Sequence, residues 1–169
     1  MLTLHVPASG DAVVVAGARI AALGPADELA RAHPGARERR WAGVVHAGRC
    51  HADAARYLEE TYHPDPRESG ELGTAPLTGA ALPVLDDTRW GHSARRGLQR
   101  LLGQGVTALV GPFSRPAVRV AVRRSGLPVY DVPRTPVLAV GGPAHFTVLA
   151  PDGACLATAV SGRLVYRRG

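Results

Sequence analysis

The chain has no lysine, no asparagine, a single methionine, two cysteines and few aromatics, which make up 5% of its 169 residues. It also has no run of 18 apolar residues, which excludes a membrane-spanning helix. Its start, "MLTLHVPASGDAVVV", lacks a basic stretch ahead of an apolar one, so it does not have the form of a secretory signal. Cys50 and Cys155 lie far apart, so reduced thiols in a cytoplasmic protein are expected rather than a disulfide framework. Without lysine, all 20 basic residues are arginine; against 14 acids they give a net charge of +6. Abundant Ala, Gly, Arg, Pro and Val is the composition of GC-rich coding, which accounts for the arginine without invoking a partner. The arginines also fall in small scattered groups: Arg37, Arg39 and Arg40; Arg95, Arg96 and Arg100; Arg119, Arg123 and Arg124; Arg167 and Arg168. A nucleic-acid surface gathers its basic residues, so no nucleic-acid partner is expected.

What is present is enough apolar residue, 46%, to bury a core for one domain, or one domain with a small companion lobe. "LTLHV" alternates as a strand does. "DAVVVAGARIAALGP" predicts a hairpin turning at Gly17. "ADELARAHPG" predicts a short helix stopped by Pro-Gly, "ARERRWAG" an extended polar segment, and "GVVHAG" a short buried strand. Ala54, Leu58 and Tyr62 at helical spacing predict a short helix ended by Pro64 and Pro66. Residues 64–84 predict a long loop, of the kind that often carries function. "HSARRGLQRLLGQG" predicts a helix capped by Ser93, with Leu98, Leu101 and Leu102 inward and Trp90 closing the core. "VTALVGP" reads as a strand covered on both faces. "SRPAVRVAVRRSG" reads as a helix with Ser114 as cap, Pro116 in its first turn, and Val118 and Val122 inward. The end, "HFTVLAPDG", "ACLATAVSG" and "RLVYRRG", reads as a β-meander. The fold class is therefore α+β: a small composite β-sandwich made from both chain ends, residues 1–43 and 140–169, with an α/β segment, residues 44–139, inserted between them.

Three stretches resemble the amidohydrolase superfamily, the metal-dependent hydrolases of the imidazolonepropionase, aminodeoxyfutalosine deaminase and cytosine deaminase kind. "VVVAGARIAALGP" is similar to the family's opening hairpin. "WAGVVHAGRC" lies where those proteins carry apolar-Pro-Gly-apolar-apolar-Asp-x-His-x-His. "GGPAHFTVLAPDGACLATAVSGRLVYRRG" resembles their closing strands, and "SARRGLQRLLGQGVTALVGP" the first barrel helix and second strand. The resemblance covers roughly residues 2–49, 90–112 and 140–168. It implies that residues 44–139 are the remnant, about three strands and two to three helices, of a (β/α) barrel. It also implies a departure. Aligning Gly43-Val44-Val45 with the family's Gly-apolar-apolar puts His46 at the family's Asp, Gly48 at its first metal-binding His and Cys50 at its second. Glycine has no side chain to ligate with, and the later ligands need a barrel of about 250 residues to carry them.

The segment 41–68 nevertheless holds three His, one Cys, two Asp and three Glu. A rebuilt site would draw its catalytic groups from His46, Cys50, His51 and Asp53, with His51, Asp53 and His63 as ligands for zinc or another divalent metal. Cys50 is alternatively a thiol nucleophile with His46 or His51 as base, or a small buried hydrophobe. His63, Asp65 and Arg67 on the loop, and Asp87, Arg89 and His92 before Ser93, form a second group suited to a ligand or partner. Three functional readings follow. The first is a protein without the family's metal site or a cofactor, acting as a non-catalytic binding, scaffold or accessory subunit. The second is a small hydrolase of non-peptide carbon–nitrogen bonds with a rebuilt metal site, and the third a thiol enzyme using Cys50. A homo-oligomer or a partner enzyme is expected, with "VTALVGPF" and the helix Arg115 to Ser125 near the interface, because a partial barrel leaves a strand edge open.

Overall fold

An antiparallel strand made of an unbroken apolar run needs cover on both of its faces. Ala12, Val13, Val14 and Val15 are all buried, with at most 3% of their surface exposed. The computed structural model, which describes residues 1–169, shows what covers them. The fold is mixed α+β, with several sheets, five α-helices and no closed barrel. The chain divides into two units. Unit 1 is Met1–Arg49, Leu102–Thr107 and Thr135–Gly169; unit 2 is Cys50–Leu101 and Ala108–Arg134.

Unit 1 contains two four-stranded sheets. The first has β1 (Leu2–Val6), β2 (Ala12–Ala16), β3 (Arg19–Gly24) and β4 (Arg37–Arg40) in the order β3-β2-β1-β4, with helix α1 (Ala26–Ala32) between β3 and β4 in sequence. The β1–β4 pair is parallel and the others are antiparallel. The second has β5 (Val44–Ala47), β11 (Phe146–Leu149), β12 (Cys155–Val160) and β13 (Arg163–Arg167) in the antiparallel order β13-β12-β11-β5. Val13 and Val15 on one face of β2 join Ile20, Phe146, Val148, Ala157 and Ala159 in one core cluster. Ala12 and Val14 on the other face join Leu4, Val6 and Leu29 of α1. Fully burying one large apolar side chain stabilises by roughly 1.5–3 kcal/mol, so β2 serves two cores at once.

The chain ends thus share a core but not one sheet, and the second sheet takes one strand, β5, from between them. Backbone bonds tie the hairpin to the stretch before β11. The Ile20 N–H donates to Gly142 O (2.9 Å), and the Gly141 N–H donates back to Ile20 O (2.8 Å). Gly162 packs against the Gly17 carbonyl, where an added Cβ would lie 2.0 Å from that oxygen.

Unit 2 is helical with short strands. In order come β6 (Arg49–His51, shared at the division with unit 1), α2 (Ala54–Glu59), β7 (Thr61–Tyr62), a 3-10 turn at Pro66–Glu68, α3 (Ser69–Leu72), β8 (Leu77–Thr78) and a second 3-10 turn at Gly79–Ala81. Then follow α4 (Asp87–Leu102) and β9 (Val106–Val110), of which Leu102 and Val106–Thr107 fall in unit 1, then α5 (Pro116–Ser125) and β10 (Val129–Tyr130). β10 pairs in parallel with β9, matching Val129 to Leu109 and Tyr130 to Val110. Residues 64–84 are not a bare loop, because β8 pairs with β7, Thr61 opposite Thr78 and Tyr62 opposite Leu77.

Three expectations change here. α4 begins at Asp87 rather than at Ser93, because the Asp86 carboxylate accepts the Arg89 N–H (2.8 Å) and caps the helix two turns earlier. Ser93 is buried inside the helix, where its hydroxyl accepts the His63 N–H (2.9 Å). α2 stops at Glu59, so Tyr62 lies on β7 instead of a helix face. Finally, β9 does not present an open edge. It lies between β10 and β6 with all five residues buried, so the free edges belong to the short outer strands.

Candidate functional site

The sequence "YHPDPRE" sets up its own local frame. Asp65 precedes a 3-10 turn begun by Pro66, its carboxylate accepts the Arg67 N–H (3.0 Å), and Glu68 reaches back to accept the Asp65 N–H (3.0 Å). That reciprocal pair is a capping box. It leaves the second Glu68 oxygen free, and Arg89 of α4 donates to it (2.7 Å). The Tyr62 hydroxyl donates to Glu68 at 2.5 Å. Arg96, two turns after Arg89 on the same helix face, donates to the His63 carbonyl (2.7 Å) and to Asp65 (3.2 Å). The guanidiniums of Arg89 and Arg96 lie 5.5 and 5.8 Å from the centre of the Tyr62 ring, close enough for cation–π attraction.

These residues line a cleft of about 200 Å³ within unit 2: Tyr62, Asp65, Arg67, Glu68, Arg89, His92 and Arg96. The hydrogen bond from Tyr62 and the one from the Asp65 amide, with Arg89 behind them, hold the Glu68 carboxyl down to about 2. Burial and the bond to Glu68 push the Tyr62 phenol up. Glu68 therefore stays ionised and Tyr62 protonated at neutral pH, which suits neither to moving protons. Both carboxylates are already bonded to arginines, whereas the guanidinium of the exposed Arg67 has no carboxylate within 4 Å and His92 of the same cleft is exposed. What the cleft offers an incomer is positive charge and N–H donors.

Of the residues expected to gather for a ligand, Asp65, Arg67, Arg89 and His92 do so. His63 and Asp87 do not. His63 is fully buried, its Nε2 is 2.9 Å from the Tyr57 carbonyl, and its Nδ1 has no partner. Burial, the largest influence, lowers its pKa, so the neutral ring donating from Nε2 is the favoured form. Asp87 is exposed in the first turn of α4, where a negative charge favours the helix. Tyr62, Glu68 and Arg96 are the members that the sequence reading left out of the group. The Asp-Pro-Arg-Glu spacing signals the capping box, and the spacing 89, 92, 96 marks one helix face.

The residues proposed for chemistry are arranged differently. His46 is exposed on β5, opposite Thr147 of β11. Cys50 is a free, half-buried thiol on β6. His51 packs against the Tyr57 ring (5.2 Å between centres), and its burial lowers its pKa despite the opposing pull of Asp53. Asp53 sits exposed at the start of α2 without a capping bond. No three His, Cys, Asp or Glu side chains gather closely enough to hold a metal ion. Gly48, at the position of the family's first ligand in the resemblance, is buried, and a Cβ added there would lie 2.0 Å from the Thr107 Oγ1.

Residues 12–36, the β2–β3 hairpin and α1, match the family model described as the imidazolonepropionase-like composite domain of bacteria. No curated protein matches the chain. Among solved structures, it is similar to the ochratoxinase of A. niger, at 18% identity over 76% of this chain and 30% of that one, with a TM-score of 0.44. It is also similar to a guanine deaminase from Bradyrhizobium japonicum, at 22% identity over 70% of this chain and 27% of that one, with a TM-score of 0.41. The chain spans less than a third of either, and likenesses with TM-scores below 0.5 carry no argument here. The family match stands on the hairpin, the first of the stretches that carry the sequence resemblance, and there the chain is imidazolonepropionase-like.

Proposed function

We propose that this is an amidohydrolase-like protein without the family's metal chemistry, acting as a binding or accessory subunit whose unit 2 cleft takes a small anionic ligand. The reading keeps the composite β domain built from both chain ends and takes the α/β segment as a shortened barrel. The observation that carries it is Gly48. A ligand side chain at that position needs a Cβ, and the space a Cβ needs is filled by Thr107. The donor set gives no substitute, since the nearby His, Cys and Asp side chains do not converge. The residues present therefore do not fit the family's metal, and no reaction step is drawn through one.

The cleft supports the binding half of the reading. Its carboxylates are saturated by protein donors, while Arg67 and His92 at its mouth are not. A planar carboxylate matches a guanidinium fork in charge and geometry. Self-association is part of the proposal. One open edge in unit 2 is β10, on which Val129 exposes 44% of its surface and just beyond which Val132 exposes 61%. Calorimetric titration of a panel of small dicarboxylates tests the reading. Saturable binding lost in Arg67→Ala supports it. No binding by any member, or turnover of an amide or amidine substrate by metal-loaded protein, defeats it. Sedimentation decides the oligomer, and a monomer of the 17.7 kDa chain removes that part.

A further inference from the structure

Unit 1 holds a second cleft, of about 230 Å³, lined by Arg37, Arg39 and Arg40 of β4, by Trp41 just after it, and by Arg167 of β13. Four arginines from two different sheets line it, and Arg37 and Arg39, two residues apart on β4, share one face of that strand. Only one has an acidic partner: Arg40 pairs with Glu38. No carboxylate lies within 4 Å of the guanidiniums of Arg37, Arg39 or Arg167. Like charges drawn together repel one another, and nothing in the fold offsets this.

The floor of the cleft is fixed. The Trp41 Nε1–H donates to His5 Nδ1 (3.2 Å), the two rings lie edge to edge and nearly coplanar with an interplanar angle of 4°, and the Trp41 N–H donates to the Val6 carbonyl (2.9 Å). The Arg167 guanidinium lies 5.9 Å from the Trp41 ring centre. Arg39, half-buried beside Trp41, sits in register with His5 on the neighbouring strand. Arginine on an exposed edge strand such as β4 also deters edge-to-edge pairing. That role explains Arg37 and Arg39, but not the arrival of Arg167 from the other sheet or the braced tryptophan between them.

We propose that this cleft binds a phosphate group, either inorganic phosphate or the phosphomonoester or pyrophosphate of a small molecule. Guanidinium forks match phosphate oxygens in geometry, and an anion of charge two relieves the repulsion among Arg37, Arg39 and Arg167. The cleft is a local concavity with a single aromatic ring, Trp41, and no succession of stacking rings along a track, so it suits one group rather than a nucleic-acid backbone.

The test is calorimetric titration of the full chain with inorganic phosphate and with pyrophosphate at fixed moderate salt. The result expected is saturable binding of one anion per chain. Arg39→Gln and Arg167→Gln each weaken it by about ten- to a hundredfold, the worth of a charge-assisted hydrogen bond. Arg163→Gln, an exposed β13 residue that does not line the cleft, leaves it unchanged. Circular dichroism confirms that each variant is folded. Failure of both anions to bind up to millimolar concentration overturns the proposal. So does binding that survives the Arg39→Gln, Arg167→Gln double variant. Tighter binding of a DNA duplex than of pyrophosphate, weakened as much by Arg163→Gln as by Arg39→Gln, overturns it as well, because it marks a diffuse polyanion surface.

Discussion

Lowering the pH should destabilise unit 1 through His5, and the amount can be worked out. His5 is 2% exposed, with Trp41 edge to edge with it and donating its Nε1–H to His5 Nδ1, and the Phe146 ring edge-on at 4.8 Å. Burial first, and the Arg39 charge second, lower its pKa from 6.5 to about 4. The unfolded chain takes up a proton at this residue from pH 6.5 downward, and the folded chain resists until about pH 4. Stability is therefore whole above pH 6.5 and falls as the pH drops through that window. At about 1.4 kcal/mol per unit of pKa, the loss is about 2 kcal/mol by pH 5 and about 3 kcal/mol by pH 4. For a chain of this size, 2 kcal/mol corresponds to a fall in Tm of about 4–8 °C. Urea unfolding followed by Trp41 fluorescence in a Trp90→Phe background measures it at pH 8 and at pH 5. His51, His63 and His145 also have lowered pKa values from burial and add to the raw drop, so the quantity to compare is the difference between parent and His5→Gln. The drop in His5→Gln should be smaller by about 2 kcal/mol. An equal drop in both proteins refutes the reasoning.

Three further outcomes are expected. Gly48→Ala forces a methyl into Thr107 and should cost about 1–3 kcal/mol, with Thr107→Ala in the same chain restoring most of it; thermal melts of the two single variants and the pair give the coupling. Tyr62→Phe removes the largest influence holding Glu68 near 2, so its carboxyl should titrate measurably higher by NMR, and an unmoved value contradicts the network. Leu109→Arg, in the centre of the buried β9, should unfold the chain rather than dissociate an assembly, as circular dichroism will show.

Much of the fold was legible because local periodicity carries it. The alternation of "LTLHV", the hairpin around Gly17 and the "PDG" and "SG" turns appear as strands β1 to β3 and β11 to β13. What local pattern does not encode is the partner across the sheet. The polar "RERR" segment becomes an edge strand because β1 offers it a parallel register, and Val44–Ala47 finds β11 about a hundred residues away. The start of α4 was misplaced because Ser93 and Asp86 are both good caps, and the choice rests on His63 and Thr61, which take the Ser93 hydroxyl into the interior. The candidate site was half legible for the same reason. The loop and helix segments that meet were recognised, but Tyr62 and Glu68 join them only because Arg89 reaches across 21 residues of sequence. His63 carries a ligand-capable ring, and only its burial against Tyr57, with Gly97 leaving it room, shows that it fills the core.

In the proposed reading, this chain does not carry the metal chemistry of the family its hairpin resembles. Elemental analysis of the full chain, purified without added metal and then dialysed against zinc, tests it most directly. The expected result is well under one metal per chain after the free zinc is removed. About one zinc, iron or manganese per chain, lost on replacing His51 or His63 with alanine, would contradict it.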